Sequence, residues 1–144
     1  MSHPIKLTIV IPCYNEQEVL PETWRRLSVV IDRLISTGKI SWDSSVLFVD
    51  DGSKDLTWAL IEQLATTNLH VTGIKCSRNR GHQNALIAGL FTADGDAIVS
   101  IDADLQDDIN AIESMKVWWT TLSPALRSSM AFASGATPIP GSRR

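Results

Sequence analysis

The chain has 144 residues, of which 44% are hydrophobic and 20% are charged, and these values are typical of a globular protein with room for one buried core. Its formal net charge of −3 argues against a nucleic-acid-binding surface. Cys13 and Cys76 have no CxxC spacing, so we expect neither a disulfide framework nor a zinc site, and a reducing cytoplasmic setting fits better. No apolar run is long enough to span a bilayer, so we expect no transmembrane segment.

The first predicted unit is a strand followed by a long helix. Leu7–Ile11 is an apolar, β-branched run that Pro12 stops, which predicts a buried strand. Apolar residues then recur at helical spacing from Leu20 to Leu34, and Gly38 ends the segment.

The second unit has the same order. Val46–Val49 predicts another buried strand. A helix should follow, with Ser53 or Asp55 as its N-cap. Its inner face is predicted to carry three leucines at helical spacing, namely Leu56, Leu60 and Leu64.

Two further units complete the pattern. The third has a strand at Leu69–Ile74 and a helix at His82–Phe91, and the fourth has a strand at Ala97–Ile101 and a helix start at Ile109–Lys116. Four successive strand-then-helix units predict an α/β fold with a doubly wound, mostly parallel sheet that helices cover on both faces.

Polar clusters follow the strands of all four units. In open parallel sheets, ligands bind beyond the carboxyl ends of the strands, and each cluster falls at such an end. The clusters are Tyr14–Glu16, Asp50–Ser53, Arg78–His82 and Asp102–Asp108. Their convergence on one edge predicts a single ligand site.

The last cluster has the composition of a divalent-metal site. Asp102, Asp104 and Gln106 alternate along an extended segment, so their oxygens can face one cation, and hard oxygen ligands suit Mg²⁺ or Mn²⁺. The alternative is a solvated acidic turn that caps the next helix. We favour the metal because the other clusters share this edge.

The second and third clusters suggest nucleotide contacts. Asp51 can accept hydrogen bonds from a base or ribose, and Gly52 permits close approach of the backbone. The alternative is a plain turn in which Ser53 caps the helix. Arg78, with Arg80 and Gly81 at a helix start, is a reasonable anion site, whereas a lone histidine there, His82, is more often structural than a general base.

Four ordered motifs together resemble a known family. They are Thr8–Glu16, Val49–Ser53, Ser77–Leu86, and Gly95–Asp96 leading into Asp102–Asp107. They resemble the polyprenyl-phosphate glycosyltransferases of family 2 (GT-A type), the group of dolichol-phosphate mannose synthase and bactoprenol glucosyltransferase. The resemblance covers roughly the first 115 residues.

The resemblance implies a fold, a reaction and a set of site residues. The fold would be the nucleotide-diphospho-sugar transferase type over residues 1–116, incomplete at the C-terminus. A UDP- or GDP-sugar would give its hexose, with inversion, to a polyprenyl phosphate at the inner membrane face, in cell-envelope glycan biosynthesis. Asp102, Asp104 and Gln106 would hold the metal, the two aspartates serving catalysis. Pro12, Tyr14, Glu16, Val49 and Asp51 would hold the nucleoside.

The segment 117–144 departs from the family. It contains no acidic residue, whereas the family continues with a strand that ends near Tyr-Gly-x-Arg. Read in another frame, the codons of Met130 and Ala131 force a glycine, and their neighbours allow that motif. We therefore expect a frameshifted, weakly ordered tail on a truncated chain.

Two other hypotheses are alternatives to an active transferase. The first is a non-catalytic remnant that binds a nucleotide sugar or folds poorly, and turnover assays distinguish this remnant from an active enzyme. The other is a Rossmann-type dehydrogenase, which is disfavoured because no GxGxxG motif follows any strand.

Overall fold

The structure is a computed structural model, and it describes residues 4–104 and the backbone of residues 136–138. Helices and strands alternate over the first part. The elements are β1 (Leu7–Cys13), α1 (Leu20–Ser36), β2 (Ser45–Asp50), α2 (Thr57–Thr67), β3 (Val71–Cys76), α3 (His82–Thr92), β4 (Ala97–Ser100) and β5 (Ala136–Pro138).

The strands form one mostly parallel sheet with the order β4-β1-β2-β3-β5. The strands β1 to β4 pair in parallel, and β5 pairs antiparallel to β3. The predicted doubly wound α/β sheet is therefore confirmed. Because β1 to β4 are parallel, their carboxyl ends lie at one edge.

Hydrophobic layers fill both sides of the sheet. Phe48 is fully buried in the layer that α1 and α2 cover, and Val49, the next residue, is fully buried in the layer beneath α3. At Gly89 of α3 an added Cβ would overlap the side chains of Val10 and Val49. The glycine therefore allows α3 to lie directly on the sheet.

Helix α2 differs from its prediction in both its start and its inner face. It begins at Thr57, and its fully buried residues are Thr57 and Ile61, whereas Leu56 is 64% exposed. Leu60 and Leu64 only border the core. The predicted inner face is therefore wrong for Leu56, whereas Leu60 and Leu64 pack at the border of the core, because packing against the sheet centres on Thr57 and Ile61.

The two candidate N-caps of α2 also have different roles. Leu56 stands at the N-cap position and makes no capping bond with its side chain. The carboxylate of Asp55, one residue earlier, accepts the Thr57 N–H at 2.9 Å. Ser53 makes no bond to the helix start and is used elsewhere, so its assignment as a cap is wrong.

Strand β1 continues through Pro12, which was expected to stop it. Pairing between β1 and β4 ends at Val10, whereas pairing with β2 continues to Cys13. Since proline has no N–H to donate, it is tolerated where a strand has a partner on one side only. Strand β3 begins later than predicted, at Val71, and leaves Leu69 99% exposed.

Part of the segment 117–144 belongs to the sheet. Residues 136–138 pair with Ile74, Lys75 and Cys76, and the expectation of a weakly ordered tail stays a prediction. Gln106, the predicted helix at Ile109–Lys116 and the rest of the tail lie outside the described residues. Among the helices of the described part, none has the length and apolar character to cross a bilayer.

Candidate functional site

A cavity of about 290 Å³ opens at the carboxyl edge of the sheet. It receives residues from the loops after β1, β2, β3 and β4, as the convergence of the polar clusters predicted. Its walls are formed by Pro12, Cys13, Tyr14, Glu16, Asp51, Asn79, Gly81, His82, Asp102, Ala103 and Asp104. Seven of the predicted site residues are thus brought together, namely Pro12, Tyr14, Glu16, Asp51, Gly81, Asp102 and Asp104.

The turn after β4 presents two carboxylates to this cavity. Asp102 and Asp104 are exposed, while Ala103 between them is buried. All three line the cavity. The Ala103 carbonyl accepts a hydrogen bond from the hydroxyl of Thr23 on α1 at 2.5 Å. His82 Nε2 lies 3.8 Å from Asp102 Oδ1 and its side chain is well exposed, an arrangement that suits a flexible surface contact.

Asp51 is a buried carboxylate that connects three loops. Its N–H donates to the Cys13 carbonyl at 2.8 Å, and its Oδ1 accepts the Arg80 N–H at 2.7 Å. With 2% of its surface exposed, it still lines the cavity. The sequence could not show that this residue also holds the loop after β3.

Asp50, one residue earlier, does not line the cavity. It is fully buried, and its Oδ1 accepts the Ser53 N–H at 3.3 Å. Its Oδ2 is buried without a hydrogen-bond partner among the described residues. Burial raises the pKa of the Asp50 carboxyl above its ordinary value, because desolvation disfavours the charged form.

Gly52 allows two loops to touch. Its φ of 73° is unfavourable for other residues, and an added Cβ would overlap the backbone of Arg78 and Asn79. The close approach predicted at Gly52 is therefore an approach of protein backbone. It brings Asn79 to the cavity, where its Oδ1 accepts the Gly81 N–H at 2.9 Å.

The loops after β1 and β2 are joined by reciprocal hydrogen bonds. Asn15, at φ 52°, donates its N–H to Ser53 Oγ at 2.9 Å, and its Oδ1 accepts the Lys54 N–H at 2.9 Å. The Glu16 N–H donates to Thr57 Oγ1 at 2.8 Å. These bonds fix Glu16 and Tyr14 relative to Asp51.

Ser53→Ala should therefore act on the loop after β1 and leave α2 in place. Loss of the hydroxyl removes the acceptor of the Asn15 N–H, and a lost hydrogen bond of this kind costs about 1 kcal/mol. We expect chemical denaturation to show that loss. Amide hydrogen exchange should become faster at Asn15, and exchange at Leu60 and Ile61 should accelerate by no more than the loss of global stability explains. A larger acceleration throughout α2 would show that Ser53 is a cap after all.

The cavity has an excess of negative charge. Four carboxylates line it, those of Glu16, Asp51, Asp102 and Asp104. The pKa of Glu16 is raised, first by desolvation and then by the charges of Asp104 and Asp55. Within the described range no three acidic, histidine or cysteine side chains lie close enough to form a metal site on their own. Mg²⁺ usually takes one or two carboxylates together with substrate phosphates, so this donor set fits a cation that arrives with a diphosphate.

Two of the predicted site residues do not line the cavity, and a third is not described by the structure. The Val49 side chain is fully buried beneath α3 and does not line the cavity, because its position in the strand turns it toward the sheet's other layer. Arg78 does not line the cavity either, and Gln106 lies outside the described residues. Sequence reasoning overlooked Cys13 and Asn79 as wall residues, although both belong to the motifs already noted.

The sequence matches one family model over most of its length. Residues 8–121 match the model described as Glycosyl transferase family 2. The uncharacterized glycosyltransferase YkoT of Bacillus subtilis (strain 168) is 56% identical over 113 residues, which are 77% of this chain and 33% of that protein. YkcC of the same organism, also an uncharacterized glycosyltransferase, is 42% identical over 119 residues, or 83% and 35% of the two chains. The chain spans about a third of the length of these relatives.

Solved structures share the fold. The mannosyltransferase PcManGT from Pyrobaculum calidifontis, in complex with GDP-Man and Mn²⁺, matches with a TM-score of 0.62 and 25% identity over 81% of this chain and 33% of that one. S. aureus TarS 1–349 in complex with UDP matches with a TM-score of 0.55 and 22% identity over 69% and 27%. The second likeness concerns the fold alone.

Proposed function

This chain belongs to glycosyltransferase family 2, and on that premise we propose that its cavity binds a UDP- or GDP-sugar with a divalent cation and that the hexose is transferred to a polyprenyl phosphate. One observation carries the proposal. A single cavity at the carboxyl edge of the sheet collects the buried carboxylate of Asp51 and the exposed pair Asp102 and Asp104. A nucleotide sugar needs recognition of its nucleoside, for which Asp51 is suited. It also needs neutralisation of its diphosphate, by a cation that Asp102 and Asp104 would hold.

The nucleoside half would lie against the loops after β1 and β2. Asp51 is held rigidly by its bonds to Arg80 and Cys13, so it can accept hydrogen bonds from a base or ribose without reorganisation. Tyr14 is 40% exposed at the cavity and offers a ring face on which a base can stack. Pro12 and Glu16 complete this wall. Gly81 opens α3, and Arg78 precedes it on the same loop, where an anion would be favoured.

The diphosphate half would lie against Asp102 and Asp104, with Gln106 as a further oxygen ligand for Mg²⁺ or Mn²⁺. A bound cation would neutralise charge on the departing nucleoside diphosphate. The raised pKa of Glu16, to which the Asp104 charge contributes, marks a region where a cation is favoured. PcManGT, which has the same fold, is described with GDP-Man and Mn²⁺.

The transfer itself needs little proton chemistry from the protein. An oxygen of the acceptor phosphate would attack the anomeric carbon, and the bond from that carbon to the diphosphate would break with inversion. A phosphate is already an anion near neutral pH, so no strong general base is required. The acceptor places the reaction at the cytoplasmic face of a membrane, in cell-envelope glycan biosynthesis, with the protein bound peripherally.

The test is calorimetry with UDP and GDP in the presence of Mn²⁺, with CDP as the control nucleotide, followed by an assay of hexose transfer to polyprenyl phosphate. We expect one of the two nucleotides to bind, and CDP to bind more weakly. Failure of both to bind would overturn the assignment of the cavity. Binding without transfer would favour the alternative of a non-catalytic nucleotide-sugar-binding chain.

A further inference from the structure

The hydroxyl of Thr23 makes an unusual contact for a helical threonine. Thr23 lies on α1 and only 1% of its surface is exposed. Its Oγ1 is 3.0 Å from the Val19 carbonyl of its own helix and 2.5 Å from the Ala103 carbonyl, 80 residues away. A hydroxyl has one proton to donate, and the shorter distance identifies Ala103 as the main acceptor.

Thr92 on α3 shows the ordinary arrangement. It is part-buried, and its hydroxyl donates to the Ala88 carbonyl one turn earlier at 2.8 Å. Thr92 is the last residue of α3, whereas the residues that line the cavity, Gly81 and His82, lie at the start of this helix. Thr92 and Thr23 thus share the intrahelical bond, and they differ in the bond to Ala103.

Ala103 is the residue between the two exposed carboxylates of the cavity. Its carbonyl lies in the same rigid peptide plane as the N–H of Asp104. Holding that carbonyl fixes the orientation of the plane, and with it the direction in which the Asp104 side chain leaves the backbone.

We propose that Thr23 is a positioning residue for the cation site: its hydroxyl fixes the turn so that Asp102 and Asp104 both face the cavity. The inference rests on the proposed function, in which these carboxylates hold a divalent cation. Thr23 itself does not line the cavity. Its contribution is to reduce the reorganisation that cation binding would otherwise require.

Thr23→Val is the principal test because valine keeps the shape of threonine and removes the donor. Binding of UDP and GDP to the full chain is measured by calorimetry over a series of Mn²⁺ concentrations, which gives the affinity for Mn²⁺ in the ternary complex. The same binding is measured separately in EDTA. Residues that orient metal ligands typically contribute about 10- to 100-fold to metal affinity, so we expect a loss of that size in Mn²⁺ affinity. Nucleotide binding in EDTA should stay unchanged, because the nucleoside wall belongs to other loops.

Two variants control for stability. Thr23→Ser keeps the donor and should retain most of the Mn²⁺ affinity, and Thr92→Val removes the matched hydroxyl from α3 and should leave it unchanged. If Thr23→Val does not fold, Thr23→Ala replaces it, since alanine has a higher helix propensity than either residue.

The outcomes separate the two proposals. Wild-type Mn²⁺ affinity in a folded variant without the hydroxyl would overturn the role of Thr23 and leave the proposed function intact. Equal losses of Mn²⁺ binding and of nucleotide binding in EDTA would also overturn it, because they would show a general structural effect. Wild-type nucleotide binding that is equally strong with Mn²⁺ and in EDTA would overturn the cation site itself, and the positioning role with it.

Discussion

Asp104→Asn is expected to weaken Mn²⁺-dependent binding of UDP or GDP by at least about 100-fold, because even residues one step removed from a metal ligand contribute about 10- to 100-fold to affinity. Asparagine keeps the volume of the side chain and removes its charge. Calorimetry in the presence of Mn²⁺ measures the loss. In EDTA, the variant and the wild type should bind nucleotide equally weakly.

The matched control is Asp43→Asn. Asp43 is an exposed aspartate between α1 and β2, at the opposite edge of the sheet, so its loss changes the net charge equally without touching the cavity. Nucleotide affinity should then stay at the wild-type value. Undiminished wild-type binding in EDTA would contradict the cation assignment, whatever the variants do.

A second measurement on Asp104→Asn concerns Glu16. Desolvation is the first cause of the raised pKa of Glu16, and the charge of Asp104 is the second. Removing that charge should lower the pKa of Glu16, which should nevertheless remain above its ordinary value because the desolvation persists. NMR titration of the Glu16 carboxyl measures the change. An unchanged pKa would show that the two carboxylates do not interact across the cavity.

Local sequence signals predicted the sheet well because each strand is a short apolar run with a polar or glycine-containing segment behind it. β1, β2 and β4 follow directly from such runs. Since parallel strands share a carboxyl edge, the order of the polar clusters along the chain was sufficient to gather most of the cavity wall. The resemblance to family 2 rested on the same clusters, and the family match over residues 8–121 agrees with it.

The sequence was less informative where tertiary contacts choose between local alternatives. In α2, three leucines at helical spacing gave a more hydrophobic stripe than Thr57 and Ile61, yet these two residues are the ones buried. The difference arises because Thr57 also accepts the Glu16 N–H and is needed at the loop interface. Helical periodicity contains no information about that loop.

Long-range hydrogen bonds were the least predictable part of the site. Ser53 could cap a helix, bind water or serve a distant backbone group, and it serves Asn15, 38 residues away. Thr23 serves Ala103 across a still longer separation. A hydroxyl has no periodic signature, so only the fold identifies its partner.

The neighbouring aspartates at the end of β2, Asp50 and Asp51, allow the nucleoside contact to be separated from the scaffold. Asp51→Asn should reduce nucleotide affinity in EDTA by about 10- to 100-fold, since hydrogen bonds to a charged group contribute about 1.5–3 kcal/mol. Asparagine retains a carbonyl oxygen for the Arg80 N–H, which Asp51 Oδ1 now accepts at 2.7 Å. The free energy of unfolding should therefore change little. Asp51→Ala should lose the same affinity and also about 1–3 kcal/mol of stability, because the Arg80 N–H loses its acceptor.

Asp50→Asn is the control, since Asp50 is equally buried but does not line the cavity. Nucleotide affinity should stay at the wild-type value. Burial raises the pKa of Asp50 in the folded chain, so the folded state holds its proton more tightly than the unfolded state. Its contribution to stability is present at low pH and falls as pH rises from the ordinary aspartate pKa toward the raised one. Asparagine should remove that part of the pH dependence, which denaturation at several pH values measures. Loss of nucleotide binding in Asp50→Asn with full binding in Asp51→Asn would reverse the two roles and place the nucleoside on the other side of β2.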